Sequence, residues 1–318
     1  VPDKRLLDLA KLAGSQKIIP SYIEFVDIAG LVAGASKGEG LGNKFLSHIR
    51  EVDVIVHVVR CFEDSNVVHV RGSVDPLADI EIIETELILA DLESVEKRIP
   101  ALQKRAKNDK EASNTLALLE DIYKLLSQGK SAKEILNRNN HEELRILQLL
   151  TTKPILYVCN VEEDQAVSGN KFTEQIFDFA AKQKANSLVV SAKIEAEIAL
   201  IQDQLEREQF LSSIGLSSSG MDKIIQQCYK LLELESYFTI GPKEAHSWTF
   251  KKGALAPEAA GIIHSDFERG FICAEVIATE DYMQYGSEAK LKELGKVRLE
   301  GKGYKVCDGD IINFRFNV

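Results

Sequence analysis

EFVDIAGLV, residues 24–32, is the stretch that decides the fold, and the glycine-rich run GASKGEGLGN follows it at residues 34–43. An apolar run of strand type ends at Asp27, and a small residue and Gly30 come next. We therefore predict a buried strand over residues 22–27 that brings a carboxylate and a backbone N–H to the phosphates of a nucleotide. Asp-x-x-Gly occurs by chance in many α/β proteins, so this interpretation depends on the elements that follow.

Length and composition favour a cytoplasmic, globular protein of two or three domains. The chain has 318 residues, of which 45% are hydrophobic and 28% charged, and its net charge is -10. This charge argues against a broadly basic protein that coats nucleic acid. The five cysteines are scattered without a C-x-x-C pair, which indicates free thiols in a reducing compartment. No apolar run approaches the ~20 residues that span a bilayer, so we expect no membrane partner.

Three further segments predict a mostly parallel, doubly wound sheet. Residues 52–60 form a near-continuous β-branched run, which is typical of a central parallel strand buried on both faces. Residues 153–160 and 187–193 are the next predicted strands, and residues 173–184 form a predicted helix between them. Strands that alternate with helices in this way indicate an α/β architecture.

Three polar residues lie at the carboxyl ends of these predicted strands, namely Asp27, Asn160 and Ser191. Ligands of doubly wound sheets bind at the carboxyl ends of the strands. The shared placement of the three residues is stronger evidence for a ligand site than any one of the motifs.

Two other parts of the chain have a different pattern. Residues 78–147 repeat apolar positions at helical spacing and are interrupted near residues 107–110, which predicts a helical hairpin inserted between two strands. Its exposed basic residues are interspersed with acids, so a solvated helix face explains them better than an RNA-binding patch does. Residues 234–318 predict a compact α+β module that ends in a half-buried strand.

The loop at residues 160–163 bears on the choice of base. In GTP-binding proteins this loop is Asn-Lys-x-Asp, and its Asp accepts hydrogen bonds from guanine N1 and N2. Here Val161 replaces the Lys and Glu163 replaces the Asp. A longer carboxylate, with no Lys stem to pack on the base, weakens the recognition of guanine. Adenine has no N1–H group that could donate a hydrogen bond to this carboxylate. The sequence therefore favours ATP over GTP.

Six motifs spread over the whole chain carry a family resemblance. They are FVDIAGLV (25–32), GASKGEGLGN (34–43), HVVRCFE (57–63), Asn-x-x-Glu (160–163), AAGIIHSDFE (259–268) and FRFNV (314–318). Together they resemble the YchF/Obg-like ATPases, a branch of the Obg group of translation-factor GTPases that prefers ATP.

The resemblance implies three domains and an ATP-dependent function. A P-loop NTPase domain is expected at residues 1–77 and 148–233, a helical coiled-coil insert at 78–147, and a C-terminal β-grasp (TGS) domain at 234–318. The resemblance further implies binding and hydrolysis of ATP, and less well of GTP, with Mg²⁺ as the metal. The implied partner is the ribosome, as the large subunit or the 70S/80S particle, with rRNA or tRNA contacts, and the protein is expected to be a cytoplasmic monomer.

By the same resemblance, the base half of the site falls on two loops. Asn160, Val161 and Glu163 are expected to frame the base. Ser191 and Ala192 are expected to supply backbone contacts.

The phosphate half falls on the opening stretch. Asp27 is expected to hold Mg²⁺ indirectly, through water, and Gly30 to donate its N–H to the γ-phosphate. Leu31 occupies the position at which many GTPases carry a water-orienting Gln. His69 matches a family histidine proposed for catalysis in its place, and the alternative is a loop histidine near the sheet edge.

One family element, the Walker A loop G-x-x-x-x-G-K-[ST], is not found in this sequence. Gly-Lys occurs at residues 129–130, 295–296 and 301–302, and none of these has the required pattern. Because that loop cradles the β-phosphate, we expect that the chain as written does not hydrolyse ATP although the family does. The alternative function is a ribosome- or RNA-binding interaction module that hydrolyses no nucleotide.

Overall fold

The structure is a computed structural model that describes residues 1–28, 41–64, 73–135 and 146–317, without the side chains of residues 41–44. These residues group into two compact units. The terminal unit consists of Val1–Glu24 and Ile225–Val318, and the middle unit consists of Phe25–Ile224.

The elements of the described residues are as follows. The strands are β1 (Lys17–Ile19), β2 (Ile55–Arg60), β3 (Ile155–Asn160), β4 (Asn186–Val190), β5 (Leu234–Ile240), β6 (Glu244–Lys251), β7 (Phe271–Ala278), β8 (Arg298–Glu300) and β9 (Asp310–Phe316). The helices are α1 (Lys4–Ala13), α2 (Leu41–Glu51), α3 (Pro76–Arg105), α4 (Lys110–Ser127), α5 (Lys171–Lys182), α6 (Ala192–Leu200), α7 (Gln204–Ser213), α8 (Gly220–Leu231), α9 (Ala256–Ile263), α10 (Ser265–Arg269), α11 (Thr279–Tyr285) and α12 (Glu288–Glu293). In this described part of the chain, no helix combines the length and apolar character needed to cross a membrane.

The middle unit contains a three-stranded parallel sheet in the order β2-β3-β4. This sheet and its flanking helices confirm the predicted α/β architecture. Residues 55–60 of the predicted strand form β2, and among the described strands β2 pairs with β3 alone, so its central position stays a prediction. Val58 of β2 is 61% exposed. A continuous apolar run shows that a strand is apolar on both faces, but it does not reveal how many neighbours the strand has.

The strand predicted over residues 22–27 is not formed, and this segment has no regular secondary structure. Phe25 and Val26 are 47% and 48% exposed. A strand needs the backbone hydrogen bonds of a neighbour, and none of the described strands pairs with this segment. Its apolar residues therefore do not define a strand on their own.

The predicted helical hairpin is confirmed by α3 and α4. Asp75 caps α3 by accepting a hydrogen bond from the N–H of Ala78, and Pro76 takes the first helical position, where an N–H is not needed. Asp109 caps α4 by accepting from the N–H groups of Glu111 and Ala112. Between the helices lies a buried apolar cluster that includes Val95, Leu119, Ile122 and Leu126.

The terminal unit is a six-stranded mixed sheet in the order β1-β6-β5-β9-β7-β8. Successive side chains of a strand face opposite sides, so each side has its own core. Tyr237 of β5 packs in a cluster with α9, and its neighbour Phe238 packs in a cluster with α1. The predicted last strand is confirmed as β9, which pairs parallel with β5 and antiparallel with β7. This β-rich module fits the expected β-grasp domain.

The first 24 residues belong to the terminal unit, whereas the predicted boundary assigns them to the NTPase domain at 1–77. β1 pairs parallel with β6, with Lys17 opposite Glu244. α1 buries Leu6 and Leu9 in the same cluster as Phe238. The apolar pattern of an amphipathic helix does not specify the domain against which the helix packs. The sequence alone therefore does not show which sheet α1 covers.

Asn170 joins the start of α5 to the end of β2, and its loss is expected to destabilise the middle unit. Its Oδ1 accepts from the N–H groups of Phe172 and Thr173, at 2.9 and 3.1 Å, and its Nδ2 donates to the carbonyl of Cys61 at 2.7 Å. Asn170→Ala removes these three bonds and a fourth, from Nδ2 to Oε1 of Gln165, so we expect a loss of about 1–2 kcal/mol in urea unfolding followed by circular dichroism. Asn170→Ser, which keeps the cap alone, should recover part of this loss, and equal losses in both variants would contradict the capping role.

Candidate functional site

The carboxyl ends of β3 and β4 meet through two direct hydrogen bonds. Asn160, the last residue of β3, accepts through Oδ1 from the N–H of Ala192 at 2.9 Å. The N–H of Val161 donates to the carbonyl of Val190 at 2.9 Å. The loops at residues 160–163 and 191–193, which the sequence predicts to share one edge of the sheet, are therefore in contact.

Ser191 places an unsatisfied hydroxyl at this junction. It is 3% exposed, and among the described residues its Oγ has no hydrogen-bond partner. Buried polar atoms are nearly always paired with protein, water or ligand. The Ser191 hydroxyl is therefore a free donor and acceptor directly beside the Asn160–Ala192 contact.

The side chain of Val161 points away from this junction, although the sequence predicts that it helps to frame the base. It is 3% exposed and packs in an apolar cluster with Cys159, Tyr157 and Ile176. Residues 157, 159 and 161 share one face because side chains of an extended chain alternate. Val161 can therefore contact a ligand only through its backbone.

Glu163 forms an ion pair with Lys193 across the two loops. Glu163 lies in the short 3₁₀ turn Glu163–Gln165 after β3, and Lys193 lies in the first turn of α6. The hydrogen bond that Lys193 donates to Glu163 raises the pKa of Lys193. No role is predicted for Lys193 from the sequence, and its charge lies beside the carboxylate because Lys193 follows Ser191 and Ala192 at the start of α6.

The residues predicted for the phosphate half are placed only in part. Asp27 is exposed and lies outside any strand. Gly30 and His69 lie outside the described residues, so their roles stay predictions. Within the described ranges, no group of three or more His, Cys, Asp and Glu side chains could hold a metal ion.

Below the junction, burial keeps the titratable groups of the sheet neutral. It lowers the pKa of His57 on β2 to about 4, and the imidazole lies 5.8 Å from the ring of Tyr157, centroid to centroid. The pKa of the Cys61 thiol is raised by its hydrogen bond with Cys159 and by burial. Neutral side chains at these two positions suit a structural role in the sheet.

Comparison with known proteins gives consistent matches over the chain. The model of a YchF GTPase C-terminal family, described as a protein of unknown function, matches residues 234–317, and the model of a 50S ribosome-binding GTPase family matches residues 9–90. The ribosome-binding ATPase YchF of Bacillus subtilis is 53% identical over 322 residues, which cover 100% of this chain and 88% of that protein. The protein of the same name from Haemophilus influenzae is 50% identical over 320 residues, with the same coverage. The structure of the Schizosaccharomyces pombe YchF GTPase matches with a TM-score of 0.88 and 35% identity, over 99% of this chain and 86% of that one.

Proposed function

The chain belongs to the YchF family of P-loop nucleotide hydrolases, and from this premise we propose that it is part of an ATP-dependent switch that binds the ribosome. The relatives from Bacillus subtilis and Haemophilus influenzae are named ribosome-binding ATPases. The joined loops at the carboxyl edge of the sheet support the proposal, because nucleotides bind at this edge in doubly wound folds.

The observation that carries the proposal is the contact between Asn160 and Ala192 beside the unpaired hydroxyl of Ser191. These groups offer an amide, a backbone and a hydroxyl to the edge of a base. Glu163 adds a carboxylate at the rim, where it orders Lys193. A carboxylate at this position favours guanine only if it accepts hydrogen bonds from N1 and N2 together. The longer side chain of Glu163 is less suited to this than Asp, so the site favours ATP over GTP.

For the phosphate half we propose that Asp27 holds Mg²⁺ through a water molecule. A single exposed carboxylate fits this role, because Mg²⁺ keeps several waters and contacts proteins through one or two carboxylates. When bound, the ion neutralises charge on the phosphate oxygens. Gly30 donates its N–H to the terminal phosphate, and His69 orients the attacking water that Leu31 cannot orient.

We further propose that the protein is a cytoplasmic monomer and that it binds the ribosome through rRNA or tRNA contacts. The bound nucleotide sets its affinity for the ribosome. Hydrolysis by this chain is tested by comparing its ATP turnover with that of the Bacillus subtilis relative, and equal turnover would contradict the expectation of no hydrolysis.

The base site is tested by the affinity for a fluorescent ATP analogue. Asn160→Ala removes the amide that holds the Ala192 N–H, so we expect binding at least tenfold weaker, which corresponds to about 1.4 kcal/mol. Asn108→Ala, at an exposed position between α3 and α4, is the control and should leave the affinity unchanged. Equal affinity in the two variants would show that the base does not bind at Asn160.

The switch is tested by co-sedimentation with ribosomes in ATP, in ADP and without nucleotide, over a range of salt concentrations. We expect the bound fraction to differ between ATP and ADP, and Asn160→Ala to abolish this difference. A bound fraction that no nucleotide changes would instead support the interaction module without hydrolysis.

A further inference from the structure

A cavity of about 640 Å³ lies in the middle unit, away from the nucleotide site. It is bounded by α3, by the turn at residues 129–134 and by the residues that follow α5. Ile155, the first residue of β3, lines it, whereas Asn160 ends the same strand. Five residues of a strand span about 16 Å, so the cavity lies at the amino end of the sheet and the nucleotide site at the opposite end.

Positive charge predominates in this cavity. Five lysines line it, namely Lys130, Lys133, Lys153, Lys182 and Lys184. The carboxylates in the lining are Glu84 and Glu134. The lysines come from separate segments of the chain and converge on one space, whereas a solvated helix face would carry them at helical spacing.

Four of these lysines have no ion-pair partner among the residues that the structure describes. Within the described residues, no carboxylate lies within 4.0 Å of the ammonium groups of Lys130, Lys133, Lys182 and Lys184, although ion pairs of this kind occur elsewhere in the unit, for example at Lys97. The fifth, Lys153, donates to the backbone carbonyls of Arg50 and Val52. Its ammonium group is therefore fixed in place as a permanent part of the lining.

Glu84 offsets less of this charge than a free carboxylate would. The hydroxyl of Tyr157 donates to its Oε1 at 2.8 Å, and burial raises the pKa of Glu84. Burial also lowers the pKa of Lys133, a half-buried lysine of the same lining, although the charge of Glu84 opposes this shift. The raised pKa of Glu84 and the lowered pKa of Lys133 both indicate an environment of low polarity. In such an environment the electrostatic attraction between an anion and each ammonium group is stronger than in water.

We propose that this lysine-lined cavity binds a small, phosphate-bearing organic anion, independently of the nucleotide at the opposite end of the sheet. The excess of ammonium groups selects an anion, and Lys is a common point-charge partner of phosphate. The volume lies within the range of small-molecule pockets. Part of the lining is apolar and suits a carbon skeleton, with Leu87, Ile88, Ile155 and Ala185.

The test uses phenyl phosphate as the probe, with inorganic phosphate for comparison, and measures the dissociation constants by calorimetry in low salt without nucleotide. The variant is Lys182→Ala combined with Lys184→Gly. Lys184 has φ +53°, a left-handed conformation in which glycine is unstrained, so this substitution is not expected to harm the fold. The control is Lys104→Ala combined with Lys107→Ala, which removes the same charge from exposed positions of the hairpin.

We expect one phenyl phosphate per chain, bound at least threefold more tightly than inorganic phosphate. The cavity variant should bind at least tenfold more weakly, and the hairpin control within twofold of the parent. No binding of phenyl phosphate, or equal weakening in the two variants, would overturn the proposal. Displacement of phenyl phosphate by a short RNA at lower concentration than by inorganic phosphate would overturn it too, because the site would then serve nucleic acid.

Discussion

Asp91→Ala is expected to destabilise the middle unit by about 3–5 kcal/mol, because it leaves buried donors without an acceptor. Asp91 is 0% exposed on α3. Its Oδ1 accepts from the N–H of Leu150 at 2.9 Å, and its Oδ2 accepts from the N–H and the hydroxyl of Thr151, both at 2.8 Å. These bonds fix the segment that leads into β3.

The pKa of Asp91 is raised overall, although two influences on it oppose each other. Burial raises its pKa, and the hydrogen bonds from Thr151 and Leu150 lower it. Asp91→Asn keeps the shape of the side chain but turns an NH₂ group toward a backbone donor. We expect this variant to lose about 2 kcal/mol, which is less than the alanine variant loses.

Urea unfolding followed by circular dichroism measures both losses, and hydrogen exchange of peptides from residues 84–95 and 146–153 locates them. Asp121→Ala is the matched control, because Asp121 is an exposed residue of the hairpin whose partner is the exposed Lys124. Surface pairs of this kind contribute less than about 1 kcal/mol. A loss in Asp91→Ala no larger than in the control would show that the buried bonds do not stabilise the segment.

The sequence predicts those parts of the fold that depend on local pattern. The hairpin follows from helical periodicity broken near residues 107–110, and its start follows from Asp75 and Pro76, which cap and open α3. Strand and helix alternation likewise predicts the α/β sheet. In each case the determining interactions lie within a few residues along the chain, so their pattern is visible without a structure.

The parts that depend on distant partners are not predictable in this way. Asp91 looks like one more polar residue of a long helix, because its partners at residues 150 and 151 are 59 and 60 residues away. Whether residues 22–27 form a strand, and to which unit α1 belongs, depend equally on which surface each segment contacts. The lysines of the cavity are unremarkable one by one, and only the fold brings them together.

The site shows the same division between local and distant information. The convergence of Asn160 and Ala192 follows from parallel strands, because their carboxyl ends meet at one edge. The alternation of side chains along β3 predicts that Val161 points into the sheet core. The comparison of residues 160–163 with the Asn-Lys-x-Asp motif, taken alone, instead predicts that Val161 contacts the base. The ion pair between Glu163 and Lys193 depends on side-chain reach between two loops, which the sequence does not give.

Glu163→Asp is expected to shift the nucleotide preference toward GTP by roughly 10- to 150-fold in the ratio of the two dissociation constants. The shorter carboxylate cannot keep its contact with Lys193, and it takes the length that accepts from guanine N1 and N2 in GTP-binding proteins. A hydrogen bond to a charged group contributes about 1.5–3 kcal/mol, which gives this range. Adenine offers no N1–H, so ATP gains nothing from the change.

The ratio of affinities for GTP and ATP, measured on one preparation, makes this result independent of the folded fraction. Glu162→Asp is the control, because it makes the same change one residue earlier in the loop, and it should leave the ratio unchanged. Lys193→Ala removes the ion pair while keeping the longer carboxylate. If Lys193→Ala alone reproduced the shift, the ion pair would be the determinant of specificity, and the length of the Glu163 side chain would not be.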